Sequence, residues 1–154
     1  MTGRRALLAL VPALALARCA AGPAAPAVLT LTVHAGANQN PDPTGRPAPV
    51  AFQLFQLSGT GSFDRADFFA LIGHTQQTLG GDLLASEQFV LPPGQTKTIT
   101  RTLQKGTQFV GIAVLFRDID HATWRVAAPV AASGPSALTL TISGLKATLA
   151  SGTS

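Results

Sequence analysis

The sequence predicts an all-β fold: a two-sheet β-sandwich of about eight strands with a small helical insertion. Three observations predict it. Fifteen Gly and eleven Pro break the chain into short apolar runs, which suits turns and strands better than a helical bundle. Residues 28–34 alternate strictly, with Leu29, Leu31 and Val33 on one side and Thr30, Thr32 and His34 on the other, the period of a half-buried strand. Residues 108–116 (QFVGIAVLF) are almost wholly apolar, as a central strand requires. With 154 residues the chain suffices for one domain, and 46% hydrophobic against 12% charged residues excludes a disordered charged tail.

The first element is an address rather than a part of the fold. Residues 1–18 carry Arg4 and Arg5 and then an apolar stretch, 6–17, interrupted by Pro12. This is the charged start and apolar middle of a signal peptide, and it is too short for a bilayer span of about 20 residues. Cys19 follows as the sole cysteine, which excludes an internal disulfide and a multi-cysteine metal site. Leu16-Ala17-Arg18-Cys19 resembles a lipobox and departs from it at Arg18, where the lipoprotein peptidase usually meets Gly, Ala or Ser. Two outcomes stay open: lipidation of Cys19 as the first mature residue, or a plain signal peptide cut at Ala20 or Ala21 with Cys19 lost. Under the first, residues 19–27 form a lipidated, Ala/Pro-rich tether, and Ala20, in place of the Asp that retains lipoproteins in the inner membrane, implies outer-membrane sorting. Without Arg4, Arg5 and Arg18, eight Lys and Arg stand against seven acidic residues, scattered along the chain. The sequence pI near 10.2 is therefore no sign of a nucleic-acid partner.

The domain spans residues 28–150, with 151–154 as a disordered tail. After the first strand comes a polar stretch, 35–49, with four prolines, too long for a tight hairpin. Loops of that length inside a domain are more often functional than incidental. Residues 50–57 resume as a strand. A helical insertion occupies 63–84. Asp64 is placed to cap its first helix, and Asp67 stands at the third helical position, where a carboxylate suits the free N–H groups. Phe63 and Phe68 have the spacing of a hydrophobic staple; Phe68, Phe69, Leu71 and Ile72 supply the apolar surface, and Gly73 ends the helix. A second helical turn within 75–84 breaks at Gly80-Gly81. Strands follow at 88–91, 97–103, 108–116 and 123–129, with turns at Pro92-Pro93-Gly94 and 118–122. The last two strands are a hairpin about Ser143-Gly144, pairing Ile142 with Leu145, Leu140 with Ala147 and Leu138 with Leu149. A Gly bulge in one long strand is the alternative.

Few residues suggest catalysis. His34, His74 and His121 are far apart, and none has a second His at metal-ligand spacing. Asp118 and Asp120 lie in a tight turn, where Asp usually bonds its own backbone. The glycines around Ser58 lack the Lys and helix of a phosphate loop, and no nucleophile elbow is present. No catalytic residue, cofactor or metal is expected. Residues 40–46 and 118–125 place polar groups in loops beside stable strands and read equally as solvated turns or as recognition surfaces. Arg117 and Arg125 flank the 118–122 turn and could pair with Asp118, Asp120 or Asp64. Trp124, the sole Trp, is expected to cap the core.

Seven ordered pieces resemble the type VI secretion lipoprotein family known as TssJ, SciN or VasD. They are Asn40-Pro-Asp-Pro-Thr-Gly-Arg-Pro-Ala-Pro-Val50, Phe52-Gln-Leu-Phe-Gln-Leu57, Phe63-Asp-Arg-Ala-Asp-Phe-Phe-Ala-Leu71, Leu79-Gly-Gly-Asp-Leu-Leu84, Leu91-Pro-Pro-Gly94, Phe116-Arg-Asp-Ile-Asp120 and Ala122-Thr-Trp-Arg125. The likeness covers about residues 28–149. It implies a transthyretin-like sandwich, lipid-anchored at the periplasmic face of the outer membrane, that holds the periplasmic C-terminal region of the inner-membrane protein TssM. It also implies that the first long loop makes that contact, here through Asn38, Gln39, Asn40, Asp42, Thr44 and Arg46. Arg46 can bond a carboxylate in a fork and Asn40 can both donate and accept. The competing reading has Asn40, Asp42 and Arg46 bonding within the loop to hold its shape; under either, shortening residues 39–44 is expected to spare the melting temperature. Neither a small-molecule substrate nor a nucleic acid is expected. A periplasmic transthyretin-like enzyme or small-ligand binder is the alternative function.

Overall fold

The computed structural model describes residues 22–152; the signal segment, Arg18 and Cys19 lie outside the described residues, as do Thr153 and Ser154. Eight strands form two sheets of four, which is the expected architecture. The strands are β1 (Ala27–Ala35), β2 (Val50–Leu57), β3 (Leu83–Leu91), β4 (Thr96–Thr102), β5 (Phe109–Leu115), β6 (Arg125–Pro129), β7 (Gly134–Ser143) and β8 (Lys146–Ser151). One sheet runs β4-β1-β7-β8 and the other β3-β2-β5-β6. β1 and β7 pair in parallel; the remaining strand ladders are antiparallel.

Alternation decides what each strand buries. Leu29, Leu31 and Val33 of β1 turn inward with no exposed surface and meet Phe52, Ile112, Leu140 and Ile142 between the sheets. The second sheet is covered on its other face as well. Three short helices, α1 (Gly61–Arg65), α2 (Phe68–Gly73) and α3 (Thr75–Leu79), and a 3-10 turn (Gly80–Asp82) lie there. Phe55, Leu57 and Ala113 form a second apolar core with Phe63, Ala66, Leu71 and Leu79. A strand buried on both faces needs apolar residues at nearly every position, and the runs in β2 and β5 reflect that. Gly111 makes room for the insertion: a Cβ there would lie 2.9 Å from the Phe63 ring.

The open margins of the sandwich are closed differently. On one side Lys97 and Arg101 of edge strand β4 point inward and lie over the Phe89 ring, and Arg101 forms a forked pair with Glu87 at 2.6 and 2.8 Å. Inward-turned cations blunt an edge against pairing with another chain. On the other side Thr123 bridges Lys146, with Thr123 N–H on the Leu145 carbonyl and Ala147 N–H on the Thr123 carbonyl, both at 2.9 Å.

Several expectations of local structure are corrected. Asp64 does not cap a helix. The chain breaks after Arg65, and Asp67 is the cap of α2, its carboxylate accepting the Ala70 N–H at 3.1 Å. That moves the staple positions from Phe63 and Phe68 to Ala66 and Leu71, both in the second core. Phe63 packs instead on Phe55, centroid to centroid 5.6 Å, and Phe68 on Trp124 at 5.0 Å. Phe69 is 68% exposed and covers nothing in the core. The helical residues end at Asp82, and Leu83 and Leu84 already belong to β3. The final hairpin turns at Gly144-Leu145, so Ile142 pairs with Ala147 and Leu140 with Leu149. This slips the register by two residues, which leaves every side chain on its expected face. Gly144 has a positive φ of 57° at the first central position, as a II′ turn requires.

Candidate functional site

β1 runs from the tether side to the opposite end of the sandwich, roughly 30 Å at about 3.3 Å per residue. At that far end four connections converge: residues 36–49, 92–95, 116–124 and 144–145. The 36–49 loop is the longest, and side-chain and backbone bonds tie it to the other three. Gly36 N–H donates to the Ile142 carbonyl at 2.7 Å, and a Cβ on Gly36 would sit 2.7 Å from that oxygen, so only glycine allows this approach. Gly94 N–H donates to the Gly36 carbonyl at 3.3 Å. The exposed Asn38 accepts the Gly144 N–H at 3.2 Å.

Gln39 and Asn40 are the interior posts of the loop. Gln39 is fully buried, and its Nε2 donates to the Leu91 carbonyl at 2.7 Å and to the Ala48 carbonyl at 3.3 Å. Asn40 is 5% exposed with φ of 47°, a left-handed conformation that Asn tolerates better than other side chains. Its Nδ2 donates to the Pro49 carbonyl at 2.9 Å, and its Oδ1 accepts the Arg117 N–H at 2.8 Å. Its own N–H reaches the Gly144 carbonyl at 2.8 Å. One asparagine thus links three of the four connections. The interior position of Gln39 and Asn40 also corrects the expectation that shortening 39–44 would spare stability: it would remove both posts.

The outer part of the loop has its own frame. Asp42 Oδ1 accepts the Thr44 hydroxyl at 2.6 Å, the Thr44 N–H at 2.8 Å and the Arg46 N–H at 3.0 Å. The Thr44 hydroxyl, then the Arg46 N–H, hold the Asp42 carboxyl below its ordinary value. Asp42 N–H returns to the Arg46 carbonyl at 2.8 Å, and Gly45 takes φ of 84° to close the turn. Residues 43–47 stand exposed on this frame. The Arg46 guanidinium makes no hydrogen bond or ion pair among the described residues, so a forked donor set faces outward. Of the six loop residues singled out from the sequence, Gln39 and Asn40 face the interior, Asn38, Asp42 and Thr44 are bonded at the surface, and Arg46 alone presents an uncommitted charge.

The 116–124 connection flanks this tip. The expected pairing of Arg117 and Arg125 with Asp118, Asp120 or Asp64 does not occur among the described residues. Asp118 pairs with His121 Nδ1 at 2.8 Å, and that hydrogen bond, with the carboxylate charge, raises the imidazole above its ordinary value. Arg125 Nη1 donates to the Phe63 and Ala66 carbonyls, each at 2.7 Å, and its guanidinium lies 4.5 Å from the Trp124 ring. Arg125 therefore fastens the end of α1 to the second sheet, while Trp124 bridges the two apolar cores as a half-buried cap. Sequence reasoning missed Gln56, a buried side chain whose oxygen accepts the Gln104 N–H at 2.7 Å and the Thr107 hydroxyl at 3.3 Å. Of the two Gln in this strand, Gln53 and Gln56, only Gln56 continues the inward alternation of Phe52 and Leu54, and that was the available signal. No group of three or more His, Cys, Asp or Glu that could hold a metal occurs among the described residues. The arrangement is a rigid, exposed polar tip on a buried polar base, suited to binding another macromolecule.

Comparison with known proteins agrees with this architecture. Residues 27–145 match the family described as "Type VI secretion lipoprotein, VasD, EvfM, TssJ, VC_A0113". The crystal structure of the T6SS lipoprotein TssJ1 from Pseudomonas aeruginosa is 36% identical with a TM-score of 0.81, covering 84% of this chain and 98% of that one. Serratia marcescens Lip, a membrane-bound component of the type VI secretion system, is 26% identical with a TM-score of 0.70, over 84% of this chain and 98% of its own. A chain of the structure described as T6SS protein TssM C-terminal domain from EAEC is 29% identical with a TM-score of 0.69, over 80% and 97% of the two chains. No curated protein sequence matches. By residues 27–145 and the shared two-sheet fold, the chain belongs to the type VI secretion lipoprotein family.

Proposed function

We propose that this protein is a non-catalytic assembly factor, lipid-anchored through Cys19 at the periplasmic face of the outer membrane, that holds the periplasmic C-terminal region of TssM with its loop end. The observation that carries the reading is the position and build of the 36–49 loop. It lies at the end of the sandwich opposite the tether, and buried Gln39 and Asn40 hold it in shape before any partner arrives. A pre-shaped loop loses little conformational freedom on binding. The Thr44 hydroxyl and the N–H groups of Thr44, Gly45 and Arg46 are already bonded to Asp42, so the exposed tip offers a partner's carboxylates and carbonyls the forked donors of the Arg46 guanidinium. The likeness to a chain in a TssM C-terminal domain structure supports the choice of partner. Diacylglycerol and an amino-terminal acyl chain at Cys19 would hold the protein firmly, since a single chain binds a membrane only marginally and at least two are needed.

The test spares the interior posts. Replacing residues 43–46 by a Gly-Ser link, with Asn38, Gln39 and Asn40 kept, gives up only the exposed Asp42 frame, so it should leave the melting temperature nearly unchanged and weaken TssM binding at least tenfold, about 1.4 kcal/mol. Unchanged affinity in the folded variant would move the interface elsewhere, with 118–125 the next surface. Mass spectrometry of the mature protein from membranes should find diacylglycerol on Cys19 and an acyl chain on its amino group, and Cys19→Ser should release the domain without unfolding it. A mature chain starting beyond Cys19 would refute the anchor.

A further inference from the structure

We propose that the partner's contact continues off the loop onto an uncovered apolar ledge of the second sheet, where it seats an apolar segment; this rests on the TssM reading above. The ledge is the row Val90–Ala51–Leu115, three residues directly paired across β3, β2 and β5 at the loop end of the outward face. The helical insertion covers Phe55, Leu57 and Ala113 on the same face but stops short of this row, and none of the three belongs to either apolar core. Val90 is 59% exposed. On the helical insertion beside this sheet Phe69, 68% exposed, lies edge-on to Phe68, which in turn meets Trp124, the residue that precedes β6. Val90 and Phe69 are the large apolar side chains most open to water among the described residues.

Area decides that the loop tip cannot be the whole contact. A specific interface takes about 800 Å² and roughly 20–30 residues from each partner. The tip offers residues 42–47, so most of the contact must come from surface continuous with it. The loop's outgoing arm, Pro47-Ala48-Pro49, leads straight into Val50 and Ala51. On the other flank, Arg117, Asp118, Asp120 and His121 are charged or polar. An interface with a dry centre and a polar rim fits this layout, with the ledge as centre and the tip and charged flank as rim. The occupant is a TssM segment that presents aliphatic or aromatic side chains beside the groups that meet Arg46.

Binding of the full lipoprotein in detergent micelles to the periplasmic C-terminal region of TssM tests this. Val90→Ser with Phe69→Gln should weaken binding at least tenfold at unchanged melting temperature, because neither residue packs in a core. Val90→Thr, which keeps shape and strand preference, serves if the Ser variant is destabilised, and should weaken binding severalfold. Thr100→Ser, on the opposite sheet, should change nothing. Wild-type affinity in the ledge variants while Arg46→Ala weakens binding would overturn the ledge and leave the TssM reading intact. No binding by the wild type would remove the TssM reading itself. A change in self-association of the lipoprotein alone, seen by sedimentation, would assign the ledge to a second copy and overturn the proposal.

Discussion

The helical insertion and the 36–49 loop both depart from the strand framework, and they are held by opposite means. The insertion is regular in backbone and fixed by apolar burial: Phe63, Leu71 and Leu79 lie under 3% exposed against Phe55 and Leu57. The loop is irregular in backbone and fixed by buried polar bonds through Gln39 and Asn40. Apolar burial is non-directional, so it secures the insertion without specifying each backbone position closely. Hydrogen bonds are directional, so two amide side chains suffice to set the course of a loop that lacks a repeating ladder. The loop is thus a preformed surface, and the insertion a cover for one sheet.

Substitutions can break this contrast. The largest effect is expected from Phe63→Ala, which empties a fully buried site and should cost about 3–5 kcal/mol in denaturant unfolding. A cost under about 1 kcal/mol would mean the second core adds little. Asn40→Ala strands the Arg117 N–H and the Pro49 carbonyl and puts Ala at positive φ; a loss of about 2–3 kcal/mol follows. Asn40→Gly, free of the φ strain, should recover only part of it; full recovery would show that conformation, rather than bonding, holds the loop.

A smaller effect separates the helix cap from its sequence neighbour. Asp67→Ala should cost about 1 kcal/mol, whereas Asp64→Ala, exposed in the first turn of α1, should cost a few tenths at most. The reverse order would restore one helix starting at Asp64. The smallest effects are electrostatic. His121 has its proton affinity raised by Asp118, so its contribution is fully present below about pH 6.5 and lost as pH rises through the raised value. Asp42 is lowered, so its contribution is present above its ordinary value near 3.8 and lost as pH falls through the lowered one. NMR titration of the His121 ring should show a midpoint above 6.5 that Asp118→Asn lowers toward the ordinary value, Asp120 adding a smaller upward push. A midpoint unmoved by that change would deny the pair.

What sequence and tertiary structure each decided follows from the range of the forces involved. Period-two alternation determined β1 and the faces of β7 and β8, because side-chain direction in a strand depends only on position along it. The near-continuous apolar run of residues 108–116 likewise marked β5 as an inner strand. The two-residue slip of the last hairpin escaped the sequence because both registers place the same residues inward, and only the II′ turn at Gly144-Leu145 selects between them. Asp64 and Asp67 both suit a helix start locally. The choice fell to Asp67 once Phe63 turned into the cavity beside Gly111 and Arg125 took the Phe63 and Ala66 carbonyls, contacts across 48 to 62 residues of chain. At the loop end, length and prolines alone marked residues 35–49 as more than a connector. Which of its polar residues face a partner and which hold the loop could only be decided in three dimensions. Gln39 and Asn40 find their acceptors and donors at Leu91 and Arg117, residues brought near only when the two sheets close on each other.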